Sequence, residues 1–258
     1  MKKIWKPALF FVLCLLVFLL INLPVTLILG QITLPNNIKV NGVKGQITSG
    51  TVSTIYVNQF PIHNVNYSAD LSCLLALNIC YQIDYLNGTG SISFNPLANE
   101  ITIEQIDVDY TMAELWPLMG QLLVKPTGEL KLMVNQISFK QNKINNFDGV
   151  AIWNNAGVAG EDINLGAYQF GIVREDESYR LELTDKNAVL GIDGKGRLKS
   201  NGQYLLDIKI VAKSDLDSSI KSMLELAARK KGLNEYAVHR QGQIPPQFIN
   251  QLEFTDSN

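Results

Sequence analysis

The sequence contains few of the residues on which enzymes and metal centres depend. Only two of its 258 residues are histidines, His63 and His239, and neither has a second histidine at the spacing of a metal site. Its serines include no G-x-S-x-G nucleophile elbow. The acidic residues at 100–109 are interleaved with isoleucines, which is typical of a solvated strand face. We therefore expect no catalytic residue, no cofactor and no metal. A carboxylate pair of the glycosidase type stays open, because its spacing is three-dimensional.

Neither sign of charge dominates the chain, and the sequence has no complete phosphate-binding loop. There are 22 basic and 24 acidic residues, whereas a nucleic-acid binder shows a clustered basic surface. Gly45 and Gly50 have the spacing of a nucleotide loop, but Thr51 follows Gly50 directly, without the lysine that reaches the phosphates. We therefore expect no nucleic-acid partner. We predict instead that Gly42, Gly45 and Gly50 are turn or bulge residues at the mouth of a hairpin.

Cysteine is scarce as well, with three residues in the chain. Cys14 lies inside a long apolar run, which leaves Cys73 and Cys80 as a pair seven residues apart. In an oxidising compartment these two can form a disulfide in the loop between two strands. The alternative is two free thiols buried in an apolar segment. Metal binding by the pair is poorly supported, because no second cysteine pair is present.

The N-terminus contains a long hydrophobic run. Residues 8–29 include no charged side chain, and as a helix they would span the roughly 30 Å of a bilayer core. Three lysines precede the run and favour a cytoplasmic N-terminus: Lys2, Lys3 and Lys6. We therefore predict a basic tail over residues 1–7, a transmembrane anchor over 8–29 and an exported β-rich domain over 30–258. A cleaved signal peptide is the alternative, but the run is followed by few small residues that could form a cleavage site.

From about residue 45 to residue 212, the pattern predicts antiparallel strands joined by short turns. Leu206, Ile208 and Ile210 alternate with charged residues, which indicates a sheet with one apolar and one solvated face. The alternation changes parity at 104–105 and again at 135–136, where we predict β-bulges. Turn dipeptides occur at Asn87-Gly88, Asp148-Gly149 and Asp193-Gly194. The predicted fold class is mainly β, with a long bent antiparallel sheet that forms either an open β-trough or a sandwich-like, closed arrangement.

One short amphipathic helix is predicted near the C-terminus. Ser214 can cap it, basic residues at 229–231 suit its C-terminal end, and Gly232 can stop it. Its apolar residues fall on one helical face: Leu216, Ile220, Met223, Leu224 and Ala227. We predict that this face covers an open end of the sheet. The alternative is a docking helix for a partner or for the membrane surface.

Small and aromatic residues at particular spacings form a series of motifs along the chain. VKGQITSG contains Gly45, Ile47 and Gly50; FDGVAIWNNAGV contains Gly149, Trp153 and Ala156; INLGAYQF contains Leu165, Gly166 and Tyr168. The segments DGKGRLKSNGQYLLDIKI and GLNEYAVHRQGQI follow in order. With these motifs in this order, the chain from the anchor to about residue 244 resembles the type II secretion system protein N family. Thr48 stands where a tryptophan is usual in the first motif of that family.

The resemblance implies an accessory inner-membrane component of the machinery that moves folded proteins out of the periplasm. It implies a single-pass anchor, a periplasmic β-rich domain, and structural contacts with other type II secretion components, without a catalytic site. An alternative function is a periplasmic module that binds lipid or acyl chains in an open β-trough. This alternative rests on the apolar side of so many predicted strands, for which the sequence offers one convincing helix as a cover.

Overall fold

A computed structural model describes residues 5–30, 38–57, 60–115, 125–140, 143–160, 164–176, 178–199, 201–212, 216 and 218–243. The chain divides into two compact units, Met1–Ser93 (unit 1) and Phe94–Asn258 (unit 2). Both units are predominantly β, and the strand pairings are antiparallel. The predicted mainly β, antiparallel fold class is therefore confirmed, whereas the choice between trough and sandwich stays a prediction.

Unit 1 begins with two helices, α1 (Trp5–Ile21) and α2 (Val25–Leu29). The predicted anchor at 8–29 is therefore not one continuous helix, because Pro24 lacks an amide hydrogen and disfavours helical geometry in the residue before it. Asn22 closes α1, since its backbone N and its Nδ2 both donate to the carbonyl oxygen of Phe18, at 3.2 and 2.8 Å. Among the described residues, no helix is both long enough and apolar enough to cross a membrane.

The sheet of unit 1 follows the order of the chain. Its strands are β1 (Ile38–Gly45), β2 (Ser49–Val57), β3 (Phe60–Asp70), β4 (Ile79–Tyr85) and β5 (Gly88–Asn95). Each strand is hydrogen-bonded to the next one along the chain. A 3₁₀ helix, Leu71–Ala76, connects β3 to β4. The dipeptide Asn87-Gly88 lies at the turn between β4 and β5, as the sequence predicts.

Unit 2 contains the remaining described strands and two short helices. The strands are β6 (Glu100–Thr111), β7 (Pro126–Lys140), β8 (Lys143–Val158), β9 (Asn164–Glu175), β10 (Ser178–Lys186), β11 (Leu190–Lys199), β12 (Gln203–Ala212), β13 (Arg229–Lys230) and β14 (Glu235–Gln243). Helix α3 (Met112–Leu115) follows β6, and helix α4 (Ser218–Ala227) follows β12. Strand order again follows the chain, except that β14 lies between β12 and β13.

The core of unit 2 lies where α4 meets the sheet. Its buried members come from β8, β9, β11, β12, β14, α4 and the segment before β11: Ala156, Tyr168, Ala188, Leu190, Ile210, Leu224 and Tyr236. Partly buried side chains from the same strands and from the helix pack against them. We call these seven buried residues the core cluster. Burying them removes apolar surface from water, which is the main favourable contribution to folding.

The two predicted bulges fall at irregular backbone positions. Gln105 adopts a left-handed φ of 54° within β6. The register between β7 and β8 shifts between Val134 and Gln136, so that Asn135 is the extra residue on β7. These irregularities lie where the hydrophobic alternation changes parity in the sequence, because a bulge returns the following side chains to the same face of the sheet.

Two predicted turns are wrong. Asp148-Gly149 lies inside β8, and Asp193-Gly194 lies inside β11. Their glycines serve close packing of strands, as a Cβ added at Gly194 would lie 3.0 Å from Cβ of Leu183 and 3.3 Å from Cγ1 of Ile208. A dipeptide that favours a turn in isolation therefore stays extended when neighbouring strands occupy both of its sides.

Candidate functional site

The two histidines lie on strands, and each contacts a polar residue on a neighbouring strand. Nδ1 of His63 on β3 lies 3.2 Å from Oγ1 of its cross-strand partner Thr54. Nδ1 of His239 on β14 lies 2.5 Å from Oδ1 of its partner Asp207 on β12. Both histidines are exposed. Across the described ranges, no three or more histidine, cysteine or acidic side chains are grouped so that they could hold a metal ion.

The acidic residues of β6 interact with residues of β7. Nζ of Lys131 lies 2.8 Å from Oδ1 of Asp107 and 4.0 Å from Oδ2 of Asp109. The hydrogen bond to Asp107 raises the pKa of the Lys131 ammonium group. Glu104 accepts a hydrogen bond of 3.2 Å from Nε2 of Gln136. These contacts are cross-strand pairs of the kind that stabilise a sheet.

The motif that contains Gly45, Ile47 and Gly50 connects the helices of unit 1 to its sheet. The turn at 46–48, between β1 and β2, contacts residues 21–24, which include the last residue of α1 and the segment before α2. We call these two segments together the helix–hairpin junction. Ile47 N donates to the carbonyl oxygen of Leu23 at 3.0 Å, and Pro24 forms an isolated antiparallel bridge with Gln46.

Side chains extend the junction on both sides of this backbone contact. Gln46 Nε2 donates to Oδ1 of Asn22 at 3.2 Å, and Thr48 Oγ1 donates to the carbonyl oxygen of Ile21 at 3.4 Å. The carbonyl oxygen of Thr48 in turn accepts from Ala69 N at 2.6 Å, which connects the junction to the end of β3. Thr48 thus contacts both the helix and the sheet.

The glycines of the same motif leave space for this arrangement. Gly45 and Gly50 are cross-strand partners and form the last pair of the β1–β2 hairpin before its turn. Both residues are predicted from the sequence to lie at this hairpin. Gly45 has a φ of 111°, and a Cβ there would lie 2.5 Å from the Cα of Gly50. At Gly50, a Cβ would collide with the ring of Tyr67, whose hydroxyl donates to the carbonyl oxygen of Gln46 at 2.8 Å. Gly42 lies within β1 with a φ of 67°, which glycine adopts without strain, but the register of β1 and β2 does not shift there, so this position is not a bulge.

Residues of the second and third motifs meet in the core of unit 2. Trp153 on β8 and Tyr168 on β9 are directly paired, and their ring centroids lie 6.3 Å apart with 49° between the planes. Trp153 Nε1 donates to the carbonyl oxygen of Thr127 at 2.9 Å. Ala156, which is 0% exposed, pairs with Gly166. Gly149 pairs with residues on both neighbouring strands, β7 and β9.

Gly166 permits a close backbone approach in this region. It has a φ of 95°, and an added Cβ would lie 2.5 Å from the Cα of Ala188. The neighbouring carbonyl oxygen of Leu165 accepts hydrogen bonds from Tyr168 Oη at 3.2 Å and from Val189 N at 2.9 Å. The third motif therefore joins the start of β9 to the segment that precedes β11.

The phenol of Tyr168 has a strongly raised pKa. Burial, and to a smaller extent the negative charge of Asp185, raise the pKa of its phenol to about 12. A hydrogen bond with the backbone of Leu190 partly opposes these effects. Since all three causes belong to the core cluster or its surroundings, the raised pKa reflects packing and gives no sign of proton-transfer chemistry.

The apolar face of α4 is turned toward the sheet. Leu224 is 8% exposed within the core cluster, and Leu216 and Ile220 pack against that cluster. The side chains of Met223 and Ala227, which complete the predicted face, lie outside the described part of the structure. On the opposite side of the helix, Leu226 is 90% exposed. The helix therefore covers the sheet, and the structure gives no support to docking through this face.

Cys73 and Cys80 are joined by a disulfide. The first lies in the 3₁₀ helix and the second at the start of β4, with Cα atoms 6.0 Å apart, which is within the usual span of the bond. Cys14 is a free, exposed cysteine on α1. The disulfide closes the connection between β3 and β4 next to the pair Asp70–Cys80, where these two strands begin to pair.

The helix side of the junction and the hydrogen-bond partner of the partly buried Trp153 are not evident from the sequence. Asn22 and Pro24 lie inside the predicted anchor at 8–29, although a capping residue followed by proline is a recognised signal for the end of a helix. Thr127 gave no comparable signal, because its carbonyl oxygen, and not its side chain, contacts Trp153. The contact becomes visible only when β7 and β8 are paired.

Comparison with known proteins identifies the family. The sequence model described as "Type II secretion system (T2SS), protein N" matches residues 36–239. Type II secretion system protein N of Aeromonas hydrophila is 25% identical over 254 residues, covering 94% of this chain and 99% of the relative. The protein of the same description from Vibrio cholerae serotype O1 is 22% identical over 264 residues, covering 95% and 100%. No solved structure matches. The resemblance seen in the sequence motifs is therefore confirmed, and the chain belongs to the type II secretion system protein N family.

Proposed function

We propose that this chain is a non-catalytic accessory component of the type II secretion system, anchored in the bacterial inner membrane with its β-sheets in the periplasm. Family membership supports a part in type II secretion. The protein acts by contacts between its sheets and other secretion components, and it requires no cofactor.

The surface of α1 supports the membrane anchor. Large apolar side chains along this helix are more than half exposed, among them Leu9, Phe10, Phe11 and Phe18. Side chains of this size are favoured in hydrocarbon and disfavoured in water, so a surface made of them requires a cover. The lysines before the helix favour a cytoplasmic N-terminus, which directs the strands to the periplasmic side.

The helix–hairpin junction is the observation on which the mode of action rests. Backbone contacts of Leu23 and Pro24 with the turn at 46–48 hold the end of α1 against the first hairpin. An anchored helix with a flexible linker would leave the sheet free to turn. With this junction, the anchor instead presents unit 1 to its partners in a restricted orientation, as a structural component of an assembly needs.

Membrane fractionation of the full chain tests the anchor. We expect the protein to stay in the membrane pellet after carbonate extraction, and N-terminal sequencing to find residues that precede α1. A protease added to spheroplasts should digest the sheets and spare the N-terminal tail. Mature protein that starts near Gln31 would contradict the anchor and support the signal-peptide alternative.

Photo-crosslinking in cells with an intact secretion apparatus tests the partner contacts. A photoreactive amino acid is placed at exposed positions of unit 2, such as Arg180 on β10 and Lys195 on β11, and adducts are identified by mass spectrometry. Adducts with other type II secretion components support the proposal. If secretion of a folded substrate is normal in a deletion strain, or if a functional chain forms no such adduct at any position, the proposal is wrong.

Lipid binding is the second candidate function, and one observation favours it. The apolar face of unit 2 extends beyond the area that α4 covers. Phe170 on β9 is 40% exposed on this face, opposite Leu183, which is itself only partly buried. Gly194 lies on the other side of Leu183 and has no side chain to fill the surface. An acyl chain could lie along such a shallow apolar surface.

Lipid mass spectrometry of the purified chain tests this second function. Stoichiometric lipid in wild-type protein should be lost in Phe170→Asp, which places a charge on the apolar face. Val173→Asp is the matched control, because Val173 lies on the same strand, 36% exposed, on the opposite face. Wild-type protein that is well folded and free of lipid would exclude the function. Equal loss in both variants would show that the effect is general destabilisation.

A further inference from the structure

The connection between β3 and β4 displays a cluster of exposed large apolar side chains. The cluster consists of Leu71, Leu74, Leu75, Leu77 and Ile79, each at least 42% exposed, and we call it the apolar tip. Leu75 is 93% exposed. Between Asp70 and Asp84 the sequence contains no charged residue. A concentration of apolar surface of this kind marks a site of contact with another apolar surface.

The tip is held in shape from both ends. Asp70 accepts hydrogen bonds from Ser72 N at 3.0 Å and from Ser72 Oγ at 2.6 Å, which caps the 3₁₀ helix. Leu77 ends this helix in a left-handed conformation, with a φ of 57°. Asn78 N donates to the carbonyl oxygen of Cys73 at 3.0 Å, and the disulfide joins Cys73 to β4. The leucines are therefore fixed outward in a connection that cannot easily fold them back onto the sheet.

The tip lies at the same end of the unit 1 sheet as the helix–hairpin junction. Thr48 donates to the last turn of α1 and accepts from Ala69 at the end of β3, two residues before the tip begins. Neighbouring strands are about 4.8 Å apart, so two strand spacings, roughly 10 Å, separate the end of α1 from the start of the tip. The opposite end of β4 leads to Leu86, which is 68% exposed.

We propose that the apolar tip inserts into the periplasmic leaflet of the membrane that contains α1, so that unit 1 is attached to the bilayer at two points. This inference rests on the proposed anchor, because an anchored α1 places its C-terminal end, and with it the tip, at the level of the bilayer interface. Tyr67 and Tyr81, whose rings are in edge contact at 6.2 Å, lie on the strands directly behind the tip. Tyrosines are favoured at such an interface.

The chemistry of the tip favours the hydrophobic region of the bilayer over the charged headgroups. The tip contains no lysine or arginine, which interfacial helices commonly use to bind anionic lipids. Insertion should therefore depend on apolar side chains and should be insensitive to the fraction of anionic lipid. A protein partner that covers the tip is the competing occupant, and the test must separate the two.

Photo-crosslinking of the full chain in phospholipid nanodiscs tests the inference. p-Benzoylphenylalanine replaces Leu75 in one variant and Leu86 in the other, since both are exposed leucines next to β4, at its opposite ends. We expect roughly tenfold more lipid adduct from position 75, because transfer of one large apolar side chain into an apolar phase is favoured by at least about that factor. The yield should be the same in zwitterionic nanodiscs and in nanodiscs with anionic lipid.

Two control measurements separate the possible failures. Resistance of the Cys73–Cys80 pair to alkylation shows that the tip is intact in the variant. Carbonate extraction of the same chain from membranes tests the anchor independently. If the chain stays in the membrane but position 75 gives no more lipid adduct than position 86, the tip proposal is wrong and the anchor stands. If crosslinking in cells gives adducts of position 75 with protein and none with lipid, the tip proposal is likewise wrong. Release by carbonate would overturn the anchor and the tip together.

Discussion

Unit 1 and unit 2 use the same antiparallel pairing, but they bury side chains to different extents. Unit 2 buries the core cluster beneath α4. Among the described residues of unit 1, the buried hydrophobic side chains are Val52 and Val65. Unit 1 contains instead the helix–hairpin junction and the disulfide. Burial of apolar side chains is the main favourable contribution to folding. Because the sheet of unit 1 buries so few of them, its stability depends more on local hydrogen bonds and on the disulfide.

The difference indicates how each unit is expected to respond to its surroundings. The apolar side chains of unit 2 mostly contact one another, so its stability should depend on internal packing. Unit 1 exposes apolar side chains on α1 and at the tip, so its stability should depend on what covers them. Substitutions that disturb packing should therefore have their largest effects in unit 2, and hydrogen exchange can measure the two units separately in one sample.

Gly166→Ala should have the largest effect. The added Cβ would lie 2.5 Å from the Cα of Ala188, and residue 166 has a φ of 95°. Backbone strain and a steric clash would therefore both lower the stability. We expect the free energy of unfolding of unit 2 to fall by about 4 kcal/mol. Gly160→Ala is the matched control, because Gly160 has a φ of 87° but no atom within 4 Å of the added Cβ. It should cost about 1 kcal/mol, from strain alone. Equal losses of stability in the two variants would show that the structure relieves the clash at residue 166 without an energetic cost.

Leu224→Ala should follow, with a loss of about 3 kcal/mol in unit 2, because it opens a cavity in the core cluster. Leu226→Ala, two residues along the same helix, should change the stability by less than about 0.5 kcal/mol, since this leucine is exposed. Urea unfolding, monitored by hydrogen exchange of the amides in β12 and β14, measures the stability change in both variants. Similar effects of the two substitutions would contradict the orientation of α4.

Removal of the disulfide tests unit 1. The double variant Cys73→Ser, Cys80→Ser should lower the stability of unit 1 by about 2 kcal/mol, because the loop it closes is short, and should leave unit 2 unchanged. Exchange should increase mainly in β3 and β4. In wild-type protein that is unfolded without reductant, a thiol reagent should label Cys14 alone. Labelling of all three cysteines would show that the disulfide does not form.

The smallest expected effect is the dependence on alkaline pH. An unfolded tyrosine ionises near pH 10, whereas Tyr168 in the folded chain has a pKa of about 12. Between these values the unfolded state binds fewer protons, so the contribution is complete below pH 10 and decreases as the pH rises toward 12. At pH 11 the loss from this residue should be about 1 kcal/mol. Tyr168→Phe should remove that part of the pH dependence. If its pH profile is parallel to that of the wild type, the tyrosine is more accessible than the structure indicates.

Several elements follow from sequence alone because their causes are local. The alternation of Leu206, Ile208 and Ile210 with charged residues indicates a strand, and the change of parity at Asn135 indicates a bulge. The Cys73–Cys80 spacing points to a closed loop, and the ordered motifs indicate the family. In each case the information lies within a few neighbouring residues, or in the order of such segments.

Tertiary structure alone determined what each local signal means. Asp148-Gly149 and Asp193-Gly194 have turn chemistry, yet both lie in strands because the flanking strands fill the space on either side. The face of α4 could cover a sheet or bind a partner, and only packing with the core cluster distinguishes these. Pro24 could interrupt an anchor or form a junction, and this depends on a turn more than twenty residues away. Contacts between distant segments have no local signature, so they are decided by which surfaces come together when the chain folds.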